Sequence, residues 1–158
     1  MSRTEAFARD FCRRMQKTEN GDYKWEPGGK PIHKGHESVD IVGSPLRKGH
    51  KLVLLEVELR KDAPLTNVVK IWRWIVNEKF TTQFVLVQAF SKYYKEGDTK
   101  RSNAEFVGSQ MQKATKNQYL SLSFKYNPYR HGKQGAGRRR HHAYLLANQV
   151  RHRLDNLL

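Results

Sequence analysis

Apolar residues recur along this chain at two spacings, and the switches between them mark out its elements. Residues 3–16 place Phe7, Phe11 and Met15 one helical turn apart among charged neighbours, predicting an amphipathic helix capped by Ser2 or Thr4. Asn20-Gly21 closes it, Asp22–Trp25 reads as a short strand, and Pro27–Pro31 as a loop. Two β-like runs follow, Ser38–Val42 and Lys51–Leu59, joined by the turn-rich segment Gly43–Gly49. Strand side chains alternate faces, so Leu52, Leu54, Glu56 and Glu58 share one face while Val53, Leu55, Val57 and Leu59 share the other.

Asp62 and Pro64 open a helix whose apolar stripe is Val68, Ile71, Trp72 and Ile75. On that phase Trp72 belongs to the core and Trp74 to the surface. The near-continuous apolar run Thr82–Phe90 predicts a parallel strand covered on both faces. A basic, aromatic loop at 91–97 leads to a helix near 101–117, then a strand at Tyr119–Lys125 and a Gly- and Pro-rich loop at 127–138. About the last 18 residues form an amphipathic helix with Ala143, Leu146, Ala147, Val150, Leu154 and Leu157 on one side. The order α-β-β-β-α-β-α-β-α predicts an α/β fold, with a mixed central sheet flanked by helices. Its length suits a single domain over 1–158, with a core at about 3–125 and a basic C-terminal loop and helix at about 127–158.

Charge narrows the partner. Thirty Lys and Arg against 15 Asp and Glu leave a net charge of +15, which favours nucleic acid or an anionic membrane surface. The excess is segregated: Phe106–Leu154 holds ten Lys and Arg and no acid. No run approaches the roughly 20 apolar residues that span a bilayer, so no membrane partner is expected. The charged start Met1–Asp10 does not resemble a signal peptide, and Cys12 is the only cysteine, so the chain is expected to be cytoplasmic. A ribosomal-type or merely basic protein would share this composition.

Against that basic background the acids stand out. Glu56 and Glu58 emerge together from an apolar strand, and a hairpin brings Asp40 beside them, the makings of a divalent-metal site facing a polyanion. The plainer reading makes Glu56 and Glu58 a solvated strand end paired with Arg60 and Lys61, and Asp40 a turn acid. The seven histidines, His33 and His36 among them, have no zinc-ligand spacing. Lys92 and Tyr93 on the 91–97 loop, with Arg130, Lys133, Arg138, Arg139 and Arg140, are the candidate nucleic-acid contacts.

These residues resemble the PD-(D/E)XK nuclease superfamily, the restriction-endonuclease-like fold, over roughly residues 3–90. Asp40 matches the first acid, with Val39 where the eponymous proline would stand, and Glu56 matches the second. Glu58 falls where most members carry lysine. Glu5 matches an accessory acid on the first helix. The resemblance implies an αβββαβ core and a phosphodiester hydrolase acting on nucleic acid, most of all DNA. It implies Mg²⁺, with Mn²⁺ as substitute, bound by Asp40, Glu56 and Glu5, and Glu58 as a catalytic group. Some members carry the active-site lysine on the following helix, which makes Lys70 a further catalytic candidate. Helical phase opposes it, since Lys70 lies about 150° from the centre of the Val68–Ile75 stripe. Many such nucleases work as homodimers because two strands must be cut. Two other functions stay open: a non-catalytic DNA- or RNA-binding protein of the same fold, and a small basic factor that binds a protein partner.

Overall fold

A computed structural model describes residues 2–17, 21–28, 38–59, 63–77, 82–126 and 135–157. The elements are α1 (Arg3–Gln16), β1 (Tyr23–Pro27), β2 (Ile41–Pro45), β3 (Leu52–Glu58), α2 (Pro64–Val76), β4 (Phe84–Phe90), α3 (Thr99–Ala114), β5 (Gln118–Ser123) and α4 (Gly135–Asp155). They form an α/β fold, a five-stranded mixed sheet in the order β1-β2-β3-β4-β5 flanked by four helices. β1, β2 and β3 pair antiparallel, and β3, β4 and β5 pair parallel.

The alternation along β3 sorts the core into two layers. Val53, Leu55, Val57 and Leu59 pack with Phe7, Phe11 and Met15 of α1 and Leu146 and Val150 of α4. Leu54 points the other way, into a layer built from Val68, Ile71 and Trp74 of α2 and Ala104 and Met111 of α3. β4 is buried at every position, as its apolar run requires of a strand flanked by parallel neighbours and covered twice. Ser2 caps α1 in a reciprocal box: its hydroxyl accepts from the Glu5 N–H at 3.1 Å while Glu5 accepts from the Ser2 N–H at 2.5 Å. Pro64 opens α2, where its missing N–H costs nothing.

Three expectations are corrected. β2 begins at Ile41 and runs through Pro45, so Asp40 sits just before the strand rather than within it. α4 begins at Gly135, earlier than the last 18 or so residues expected, so Arg138, Arg139 and Arg140 lie on its first turns. The third is the phase of α2: Trp74 is buried at 1% exposure, and Trp72 is the half-buried partner at the edge of that layer. At 100° per residue Lys70 lies about 160° from Trp72 but only about 40° from Trp74, so the correction turns Lys70 toward the sheet. No helix among the described residues is long and apolar enough to cross a membrane.

Candidate functional site

The antiparallel register pairs Ile41 with Leu55, and so carries Asp40 to the level of Glu56. Asp40 is held there by its own side chain, whose Oδ2 accepts the Val57 N–H at 2.8 Å. α2 then returns over β3 and lowers Asn67 and Lys70 onto the acids. Lys70 Nζ donates to Glu56 Oε1 at 2.7 Å, to the Ser38 carbonyl at 2.7 Å and to Asn67 Oδ1 at 3.4 Å. Its ammonium also lies 5.8 Å from the Trp74 ring centroid, a cation–π distance. Asp40, Glu56, Glu58, Asn67 and Lys70 line one groove of about 300 Å³.

Burial makes these charges unusual. Glu56 is 3% exposed and Glu58 1%, which removes the reading of a solvated strand end; Arg60 and Lys61, its supposed partners, lie outside the described residues. Burial first, and then the neighbouring Asp40 charge, push the Glu56 carboxyl up to about 8 although Lys70 pulls the other way. Glu58 is tied in differently. Its Oε1 accepts from Asn67 Nδ2 at 3.0 Å and from Gln88 Nε2 at 2.9 Å. Gln88, fully buried on β4, also donates to the Pro64 carbonyl at 2.9 Å and accepts from the Tyr119 hydroxyl at 2.8 Å. A hydrogen-bonded chain therefore crosses from β5 to α2 through Tyr119, Gln88, Glu58, Asn67 and Lys70, and ends on Glu56.

The donor set suits a hard cation. Two carboxylates facing one groove, one of them destabilised by burial and by the other, are what a divalent ion relieves. Among the described residues no group of three His, Cys, Asp or Glu side chains is placed to hold a metal ion, so Glu5 does not join Asp40 and Glu56 as a third acid. The remaining ligands would therefore be main-chain oxygen and water, the pattern usual for Mg²⁺ rather than for structural zinc.

The other sequence candidates are placed as follows. Glu5 lines an adjoining groove with Asp40, its carboxylate turned back onto Ser2. Arg139 Nε donates to the buried Asp10 Oδ2 at 2.8 Å, with Arg13 at 3.7 Å and Arg140 at 4.0 Å from the same carboxylate. Arg138 and Lys92 are exposed. Tyr93 is 43% exposed and meets Tyr94 edge-on, while Tyr94 is buried against Phe90. Arg130, Lys133, His33, His36 and His131 lie outside the described residues. Sequence reasoning missed Gln88 and Tyr119. The signal for Gln88 was present, as the one polar side chain inside the run Phe84–Phe90, where a buried amide must find partners. No protein-family model matches the chain, and no curated protein matches it, so the site's own geometry carries the functional argument.

Proposed function

We propose that the chain is a Mg²⁺-dependent nuclease with a restriction-endonuclease-like αβββαβ core, hydrolysing phosphodiester bonds in DNA. The observation that carries this reading is the meeting of Lys70 Nζ with Glu56 at 2.7 Å in a groove that Asp40 also lines. Two acids and a lysine are the set this chemistry needs, and here the lysine comes from the helix after β3. The order α1-β1-β2-β3-α2-β4 agrees with the proposed core. Asp40 and Glu56 would hold the ion. Bound there, it would polarise a phosphoryl oxygen and lower the pKa of an attacking water.

The chain's own groups do the rest. Lys70, anchored by the Ser38 carbonyl, donates to the proposed metal-binding carboxylate, and by giving up its long 3.4 Å bond to Asn67 it would free an N–H to orient the water or the phosphate oxygen beside it. Glu58 stands where a strand lysine is usual. Its hydrogen bonds to Asn67 and Gln88 make it the group that fixes the floor of the groove. A net charge of +15 concentrates polyanions around the site.

The test is cleavage. Purified protein should cut or nick DNA with Mg²⁺ or Mn²⁺ and stop in EDTA, while Ca²⁺ supports binding without efficient cutting. Asp40→Ala, Glu56→Ala and Lys70→Ala should each lose at least about a hundredfold in rate, and the two acid variants should keep or improve DNA affinity. Cleavage of RNA alone would move the substrate class. Absence of any metal-dependent cleavage, with salt-sensitive DNA binding retained, would replace the nuclease with a binding protein of the same fold.

A further inference from the structure

A second groove, of about 270 Å³, adjoins the first and shares Ser38 and Asp40 with it. One wall is α1, through Glu5 and Arg9; the other is the end of β1 at Pro27 and Gly28. We propose that this groove seats the phosphate adjoining the scissile one, with Arg9 as its ligand, so that the bound strand leaves the reaction centre across α1. The inference rests on the nuclease reading and adds to it the course of the substrate backbone.

Three observations support it. The grooves adjoin at Ser38 and Asp40, which line both, so a strand reacting in one lies next to the other. Arg9 is exposed, and its guanidinium forms no ion pair or side-chain hydrogen bond among the described residues. Its natural partner one turn earlier, Glu5, has its carboxylate drawn back to the Ser2 N–H at 2.5 Å. By contrast Arg139, Arg101 and Arg47 are held by Asp10, Glu105 and Asp22. A planar guanidinium with no hydrogen-bonded partner among the described residues, beside a centre that handles phosphate, offers two parallel N–H donors of the spacing a phosphate accepts.

On the opposite wall two main-chain segments pack directly against one another. A Cβ at Gly28 would run into the main chain of Val39 and Asp40, and the Gly28 N–H is bonded to the Asp40 carbonyl at 2.6 Å. Gly28 therefore ties the end of β1 to the main chain that carries Asp40. The placement also shifts weight away from the C-terminal arginines, because Arg139 and Arg140 surround Asp10 rather than either groove.

The experiment is equilibrium binding of a fluorescein-labelled, random-sequence DNA duplex in Ca²⁺, followed by anisotropy across a salt series, so that cleavage plays no part. Arg9→Ala should bind about tenfold more weakly, with a log–log salt slope smaller by about one and no dependence on sequence. Arg9→Lys should recover the slope and part of the affinity. Arg153→Ala, an exposed arginine outside both grooves, should change affinity by less than about threefold. A duplex with neutral methylphosphonate linkages throughout one strand should lose about tenfold more affinity with wild type than with Arg9→Ala. If wild type binds and Arg9→Ala matches its affinity and slope, or if the neutral linkages weaken both proteins equally, the groove assignment is overturned and the nuclease reading stands. If wild type shows no salt-sensitive binding to duplex DNA, single-stranded DNA or RNA, both fall together.

Discussion

Replacing Glu56 by Gln should make the metal-free protein more stable at neutral pH while abolishing its activity. Burial and the Asp40 charge raise the Glu56 pKa from an ordinary value of 4.5 to about 8. The folded chain therefore keeps a proton that the unfolded chain has already released over that interval. A raised folded-state pKa contributes stability that is fully present below about 4.5 and is lost as pH rises through about 8. Gln keeps the shape and an acceptor for Lys70 but does not titrate, so the difference between the two proteins isolates this one group. At about 1.4 kcal/mol per pH unit the variant should gain on the order of 3 kcal/mol over wild type between about pH 4.5 and pH 7. For a chain of this size that corresponds to roughly 6–12 °C in Tm. The assay is urea and thermal unfolding of both proteins in EDTA from about pH 5 to pH 8.5. At the upper end Mg²⁺ should raise the wild-type midpoint and leave the Gln variant unmoved, since ligand linkage acts only through a site that binds. A stability difference that does not change with pH, or a variant less stable at pH 8, would refute the reasoning. Glu56 would then be an ordinary ionised partner of Lys70 with a structural role.

Two further outcomes follow from the packing. Trp74→Ala should cost about 3–5 kcal/mol in chemical denaturation and Trp72→Ala distinctly less, because only Trp74 is fully enclosed; equal costs would reverse the phase of α2 given above. Gly108→Ala would place a Cβ 2.5 Å from the Tyr119 ring, so it should destabilise by about 1–3 kcal/mol. By displacing the Tyr119 hydroxyl from Gln88, it should also lower kcat for cleavage more than it raises KM, and Tyr119→Phe should share that kinetic signature without the steric cost. Full activity in both variants would detach the Tyr119–Gln88 link from the site.

The elements, their order and the two faces of β3 were legible in the chain because each depends on local geometry. A period of two along Leu52–Glu58 separates Glu56 and Glu58 from Val53, Leu55 and Val57 whatever surrounds them. The near-continuous apolar run of β4, broken only by Gln88, already required cover on both sides. Local periodicity could not settle the rotation of α2, whose apolar residues Leu65, Val68, Val69, Ile71, Trp72, Trp74, Ile75 and Val76 lie nearly all round it. Several phases bury a comparable stripe, and the choice between them falls to the surface on which the helix lands. Over β3 that surface carries buried carboxylates that need donors, so the phase that brings Asn67 to Glu58 and Lys70 to Glu56 puts Trp74 inside. The same holds for Gln88 and Tyr119, separated by 31 residues, and for Asp10 and Arg139, separated by 129. Periodicity states which residues share a face of one element. Which faces meet is decided where buried polar groups from distant parts of the chain must satisfy one another.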